Sequence, residues 1–71
     1  MNMTSVSSSN LESVGYDAST ETLRVGFLNG GLYDYHSVPE HLYQGLMSAS
    51  SHGSYLDAHI KKGGYRVTKL R

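Results

Sequence analysis

Apolar and polar positions alternate most regularly between Leu23 and Tyr35. Leu23, Val25 and Phe27 interleave with Arg24, Gly26 and Leu28, and Tyr33 and Tyr35 interleave with Asp34 and His36. A period of two marks a strand with one buried face. The Asn29-Gly30-Gly31 triplet between the two runs supplies the reversal. A two-residue loop at Asn29-Gly30 would set Val25 opposite Asp34 and mix the faces. A three-residue loop over Asn29-Gly30-Gly31 pairs Phe27 with Tyr33, Val25 with Tyr35 and Arg24 with His36. It keeps one face apolar and leaves Gly30 or Gly31 for a left-handed position. The pattern predicts a Leu23–Ser37 hairpin in that register.

Upstream, Leu11–Tyr16 reads as a strand with Val14 and Tyr16 on one face and Leu11 and Ser13 on the other. Small and polar residues from Asp17 to Thr22 make the turn into the hairpin. The serine-rich start is polar apart from Val6, and residues 1–5 are expected to be flexible. Downstream, Val38-Pro39 ends the hairpin, with Val38 the expected cap of a following helix. Leu42, Tyr43, Leu46, Met47 and Ala49 recur at helical spacing, predicting a helix from Glu40 to about Ser50. Gly45 weakens it by roughly 1 kcal/mol against alanine, so packing must hold it. Ser50–Ser54 breaks the periodicity. A second helix is expected from about Tyr55 to Lys62, with Leu56 and Ile60 inward and Ser54 and Asp57 capping its first turn. Gly63-Gly64 stops it, and Tyr65–Thr68 is extended, as an edge strand or a tail. The predicted fold is α+β: a three-stranded antiparallel meander packed by two short C-terminal helices, with a possible short final strand.

Length and composition narrow the classes. Seventy-one residues make a single domain, 1–71, with a small core. There is no cysteine, so disulfides and thiolate metal sites are excluded. No apolar run is long enough to span a membrane or to form a signal peptide, which makes a cytoplasmic location the expectation. Six basic and six acidic residues balance. Zero net charge argues against a grip on long stretches of nucleic acid through phosphates alone. It also removes the self-repulsion that keeps small domains apart, and a homo-oligomer is expected.

Candidate chemistry is sparse. His36, His41, His52 and His59 show no zinc-ligand spacing, the aspartates are separated by turns, and no nucleophile elbow occurs. No catalytic residue, metal or cofactor is expected. Tyr33 and Tyr35 belong to the core face, whereas Tyr43, Tyr55 and Tyr65 lie near element ends where a ring could stack on a base. The segment Ser51-His52-Gly53-Ser54 opens a helix with unpartnered backbone N–H groups, a setting that attracts phosphate. Lys61, Lys62 and Arg66 lie close enough in the chain to add charge.

Several stretches in order resemble one family. Val6-Ser7-Ser8-Ser9-Asn10, Gly15-Tyr16-Asp17, Gly31-x-Tyr33-x-Tyr35-x-x-Val38-Pro39 and Ser51-x-Gly53-x-Tyr55-x-x-x-x-Ile60 are similar to the KTSC domain, from Val6 to Tyr65. That domain takes its name from the C-terminus of some lysyl-tRNA synthetases and also stands alone in bacteria and their phages. The chain departs from the pattern at Leu56, where an aromatic is common, and in extra glycines before Tyr65. The resemblance implies RNA binding by association and no catalytic residues. It also implies that Ser8, Ser9 and Asn10 add neutral donors to the anion site. The leading expectation is a non-catalytic module for a small nucleotide-type phosphate ligand, a cyclic or short oligonucleotide. An RNA (tRNA)-binding module is the alternative, and a protein-interaction domain the third.

Overall fold

The computed structural model describes all 71 residues. Five antiparallel strands form one sheet in chain order: β1 (Thr4–Ser5), β2 (Leu11–Asp17), β3 (Thr22–Phe27), β4 (Leu32–Tyr35) and β5 (Val67–Lys69). Between β4 and β5 the chain leaves the sheet through α1 (Glu40–Ser48) and α2 (His52–Tyr55). The second helix runs on as a π-helical turn, Leu56–Ile60, and a 3-10 turn, Lys61–Gly63. The class is α+β as expected, but the sheet is wider than a three-stranded meander. Thr4–Ser5, within the stretch expected to be flexible, pairs with Val14 and Ser13 of β2. Val67–Lys69 forms the opposite edge against β4.

The central hairpin keeps its faces and changes its register. Val25 stands opposite Tyr33 and Leu23 opposite Tyr35, two residues away from the expected pairing. The loop is still three residues long but comprises Leu28, Asn29 and Gly30. Phe27 N–H donates to the Gly31 carbonyl at 2.8 Å, and Gly30, at φ 96°, takes the left-handed position. A shift of two preserves side-chain parity, which is why the alternation could not distinguish the registers. Cross-strand chemistry does. The observed register sets Arg24 opposite Asp34, and Arg24 Nε and Nη2 donate to the two carboxylate oxygens at 2.7 and 3.0 Å. A bidentate pair of this kind is stronger than the Arg24–His36 apposition it replaces.

A second correction concerns β2. The register slips between Leu11 and Ser13, a bulge that brings both Leu11 and Val14 onto the covered face. Both are fully buried, so Leu11 is a core residue and does not point away. The core holds Leu11, Val14, Leu23, Val25, Tyr35, Val38, Leu46, Leu56 and Ile60. Each fully buried aliphatic side chain contributes about 1.5–3 kcal/mol.

The helix boundaries also move. Pro39, at ψ 148°, is the cap of α1, leaving Val38 free to be buried, and the helix stops at Ser48. The second helix starts three residues earlier than expected because Ser51, not Ser54, caps it: the Ser51 hydroxyl accepts from Ser54 N–H at 3.3 Å. Gly64, at φ 78°, ends it as expected. Tyr16 stacks on Tyr43 with ring centres 5.0 Å apart, and its hydroxyl donates to the Val38 carbonyl. This ties β2 to the entry of α1.

Burial raises the pKa of the Tyr35 phenol above its ordinary value, with a smaller push from Tyr33. Tyr16 is raised as well, by burial first and then by Glu21, Glu40 and Asp17. The unfolded chain therefore gives up these protons at lower pH than the folded one. The associated stability is full below about pH 10 and is lost as pH rises through it. The urea midpoint should be level to about pH 9 and fall as the pH rises past about 10. Tyr35→Phe should flatten part of that fall. An equal slope in wild type and variant would contradict this assignment.

Candidate functional site

Three open hollows join along one side of the hairpin tip, and Asn29 lines all of them. The first, of about 330 Å³, has a floor of Phe27, Tyr33 and Tyr35, with Lys61 and Val67 at its sides. The second, about 400 Å³, runs from Phe27 and Leu28 to Ser9 and Asn10, again under Lys61. The third, about 350 Å³, continues past Gly30 and Gly31 to Lys69 and Arg71. Each falls near the lower end of the roughly 300–1,000 Å³ typical of ligand clefts.

Local structure places each of these side chains. Phe27 and Tyr33 meet edge to face at 5.6 Å, forming an aromatic wall. Lys61 comes after the buried Ile60, directly beyond the π-helical turn. One extra residue in a turn rotates the next side chains by about 100°. The Lys61 ammonium comes to rest 5.1 Å from the Phe27 ring centre. Asn10 precedes the buried Leu11, and its carbonyl accepts from Leu28 N–H at 2.9 Å, joining the serine-rich lead-in to the hairpin tip. On its other side, the Asn10 amide lies against Gly53: a Cβ added there would come 2.6 Å from Asn10 Oδ1. Asn29 Oδ1 accepts from Gly31 N–H at 2.9 Å, fixing the loop side chain.

Charge is divided unevenly along this groove. Its lining includes Lys61, Lys69 and Arg71 and no acidic side chain. Elsewhere Arg24 is neutralised by Asp34 and Lys62 pairs with Asp57 at 3.3 Å. Of the four cations outside these pairs, only Arg66 lies off the groove.

The expected site residues divide into three groups. Ser9, Asn10 and Lys61 line the groove, with Ser8 and Gly53 supporting Asn10 from behind. Ser51, His52, Ser54 and Tyr55 form the cap and body of α2 and serve the fold there. Ser51 caps α2, and His52 Nδ1 lies 2.8 Å from the Leu46 carbonyl. The Tyr55 ring covers Gly45 and packs on His59 with centres 4.3 Å apart. Lys62, Tyr65 and Arg66 are not in the lining: Tyr65 lies on Gly63, and the Arg66 carbonyl accepts from His36 N–H. Phe27, Tyr33 and Tyr35 were expected as core-face residues and Asn29 as a turn residue, so their place in the groove was missed, as were Lys69 and Arg71 as its charge. The pairing of Lys69 with Tyr33 across β4 and β5 brings Lys69 alongside, and Arg71 follows through its N–H, which donates to the Leu32 carbonyl at 3.3 Å, and its Nε, which donates to the Gly30 carbonyl at 3.1 Å.

A sequence profile described as KTSC domain matches residues 7–65. A protein from Stutzerimonas stutzeri (strain A1501) is 36% identical over 70 residues, covering 99% of each chain. One from Tsukamurella paurometabola is 34% identical over 59 residues, 83% of this chain and 88% of the relative. The crystal structure of a KTSC domain protein from Yersinia pestis superposes with a TM-score of 0.92 at 38% identity, covering 99% of this chain and 97% of that one.

Gly53→Ala should displace the Asn10 amide from its seat. Stability should change by less than about 1 kcal/mol, because alanine's helix propensity offsets the lost contact. The side-chain amide resonances of Asn10 should shift in a nitrogen–proton correlation spectrum. Unmoved Asn10 resonances in a folded variant would refute the contact.

Proposed function

The chain belongs to the KTSC domain family, and we propose that it acts as a non-catalytic binding module for a small nucleotide-type phosphate ligand, a cyclic or short oligonucleotide. The observation that carries this reading is the segregation of charge. In a chain with six cations and six acids, three cationic side chains and no acidic side chain line a groove floored by aromatic rings. Phosphate is attracted to such a rim, and a base stacks on such a floor. A ligand with one or a few phosphates matches three cations. A long polyanion would call for more contacts than a neutral surface supplies.

The phosphate site proposed here is the groove around Lys61, in place of the turn before α2. The Ser54 N–H of that turn is already taken by the Ser51 hydroxyl, and Tyr55 N–H by the Ser51 carbonyl.

Calorimetric titration with mononucleotides, cyclic and short oligonucleotides and tRNA tests the reading. Lys61→Ala should weaken binding of the short ligands about tenfold or more, as loss of a charged hydrogen bond implies. Folding stability should change little, since the cation–π contact is exposed. Lys62→Ala should leave affinity nearly unchanged. Equal losses in the two variants, or tRNA binding without any short-ligand binding, would overturn the proposal, the second in favour of an RNA module. The stoichiometry of the same titration reports whether a ligand serves one chain or is shared within a homo-oligomer.

A further inference from the structure

The two amide side chains at the groove are both oriented by internal bonds, and in the same sense. Asn29 Oδ1 accepts from Gly31 N–H, and a backbone N–H can only donate, so the orientation of this amide is set by chemistry. Asn10 is fixed through a neighbouring hydroxyl. The Ser8 hydroxyl oxygen accepts from Asn10 N–H at 3.3 Å and from Leu11 N–H at 3.2 Å, which occupies its lone pairs. Its proton is then directed to Asn10 Oδ1 at 3.1 Å. Both asparagines therefore commit their carbonyl oxygens inward and leave their NH2 groups without an internal partner.

Both asparagines line the groove together with Lys61, Lys69 and Arg71, whose side chains only donate. The hydroxyls of Ser9, Tyr33 and Tyr35 can serve either way. A free asparagine amide would pair with adenine bidentately, accepting from N6 and donating to N7. With the carbonyl engaged, that pairing is lost. What remains is complementary to acceptors: phosphate oxygens, the carbonyls of uracil, and O6 and N7 of guanine. The amino groups of cytosine and adenine would meet donors at both asparagines and all three cations, and could be accepted only by the hydroxyls.

We propose that this donor-rich rim makes the groove selective for oxo bases, so that uracil- and guanine-containing phosphate ligands bind in preference to their cytosine and adenine counterparts. The proposal rests on the nucleotide-binding function proposed for this groove and specifies its ligand class.

The test is titration of the full chain with 5′-phosphorylated diuridylate, dicytidylate, diguanylate and diadenylate. Uracil is compared with cytosine and guanine with adenine, so that stacking area is matched within each comparison. The oxo member of each pair should bind roughly five- to tenfold more tightly, the scale of one hydrogen bond gained or lost. Asn29→Asp retains an oxygen for Gly31 N–H and replaces the free NH2 by an acceptor. Its added negative charge lowers all four affinities, but the uracil-to-cytosine ratio should fall to about one or invert, as a single exchanged hydrogen bond requires. Ratios are taken within one protein, so partial unfolding of the variant cancels. Equal binding of all four dinucleotides by the wild type would overturn the selectivity and leave nucleotide binding standing. Binding of none would remove both. An unchanged ratio in Asn29→Asp would remove Asn29 as the reader and overturn the inference.

Discussion

One apolar seam organises this molecule: the face of the sheet carrying Leu11, Val14, Leu23, Val25 and Tyr35, closed by Leu46, Leu56 and Ile60. The unpaired sheet face could not remain wet, and in a 71-residue chain no other element is available to cover it. Two of the seam's members set the position of the groove. Leu11 is buried, so Asn10 must stand at the seam's edge, between the hairpin tip and Gly53. Ile60 is buried, so Lys61 must emerge beside Phe27. The β2 bulge and the π-helical turn are the local departures that make these placements possible. Each adds a residue where regular geometry would have pointed the neighbouring side chain elsewhere.

The charges are distributed by the same frame. Asp34 is held by Arg24 on the sheet, Asp57 by Lys62 on the helix, and Asp17 accepts from the Ser19 hydroxyl and N–H in the β2–β3 turn. The Ser19 hydroxyl, more than its N–H, lowers the Asp17 pKa. These three acids are engaged in local structure, while Lys61, Lys69 and Arg71 stand at the hairpin tip without an acidic partner. A chain with no net charge thereby acquires a locally basic groove, which the bulk composition conceals.

Much of the fold was legible because alternation and helical spacing report burial directly. The shared face of Val25, Phe27, Tyr33 and Tyr35 and the helical stripe through Leu46 came from such patterns, while the glycines marked a left-handed position at Gly30 or Gly31, taken by Gly30, and a helix stop at Gly63-Gly64, made at Gly64. The failures share one cause: each depended on a contact between distant residues. Hairpin register was decided by Arg24 meeting Asp34, and a two-residue shift leaves the pattern unchanged. Leu11 was turned inward by a bulge that leaves no mark on composition. The site was legible in part. Ser9, Asn10 and Lys61 converge as expected, whereas Lys69 and Arg71 reach the groove only through the pairing of β5 with β4. The helix-turn serines, expected at an anion site, are engaged in capping and in the turn itself.

The central claim is that a neutral domain binds a short phosphate ligand through a few cations gathered at one groove. The dependence of affinity on salt measures the number of phosphate contacts directly. For single-stranded ligands the slope of log K against log salt is about −0.7 per contact, so three groove cations predict a slope no steeper than about −2. A slope of about −4 or steeper would require phosphate contacts well beyond this groove and would contradict the account.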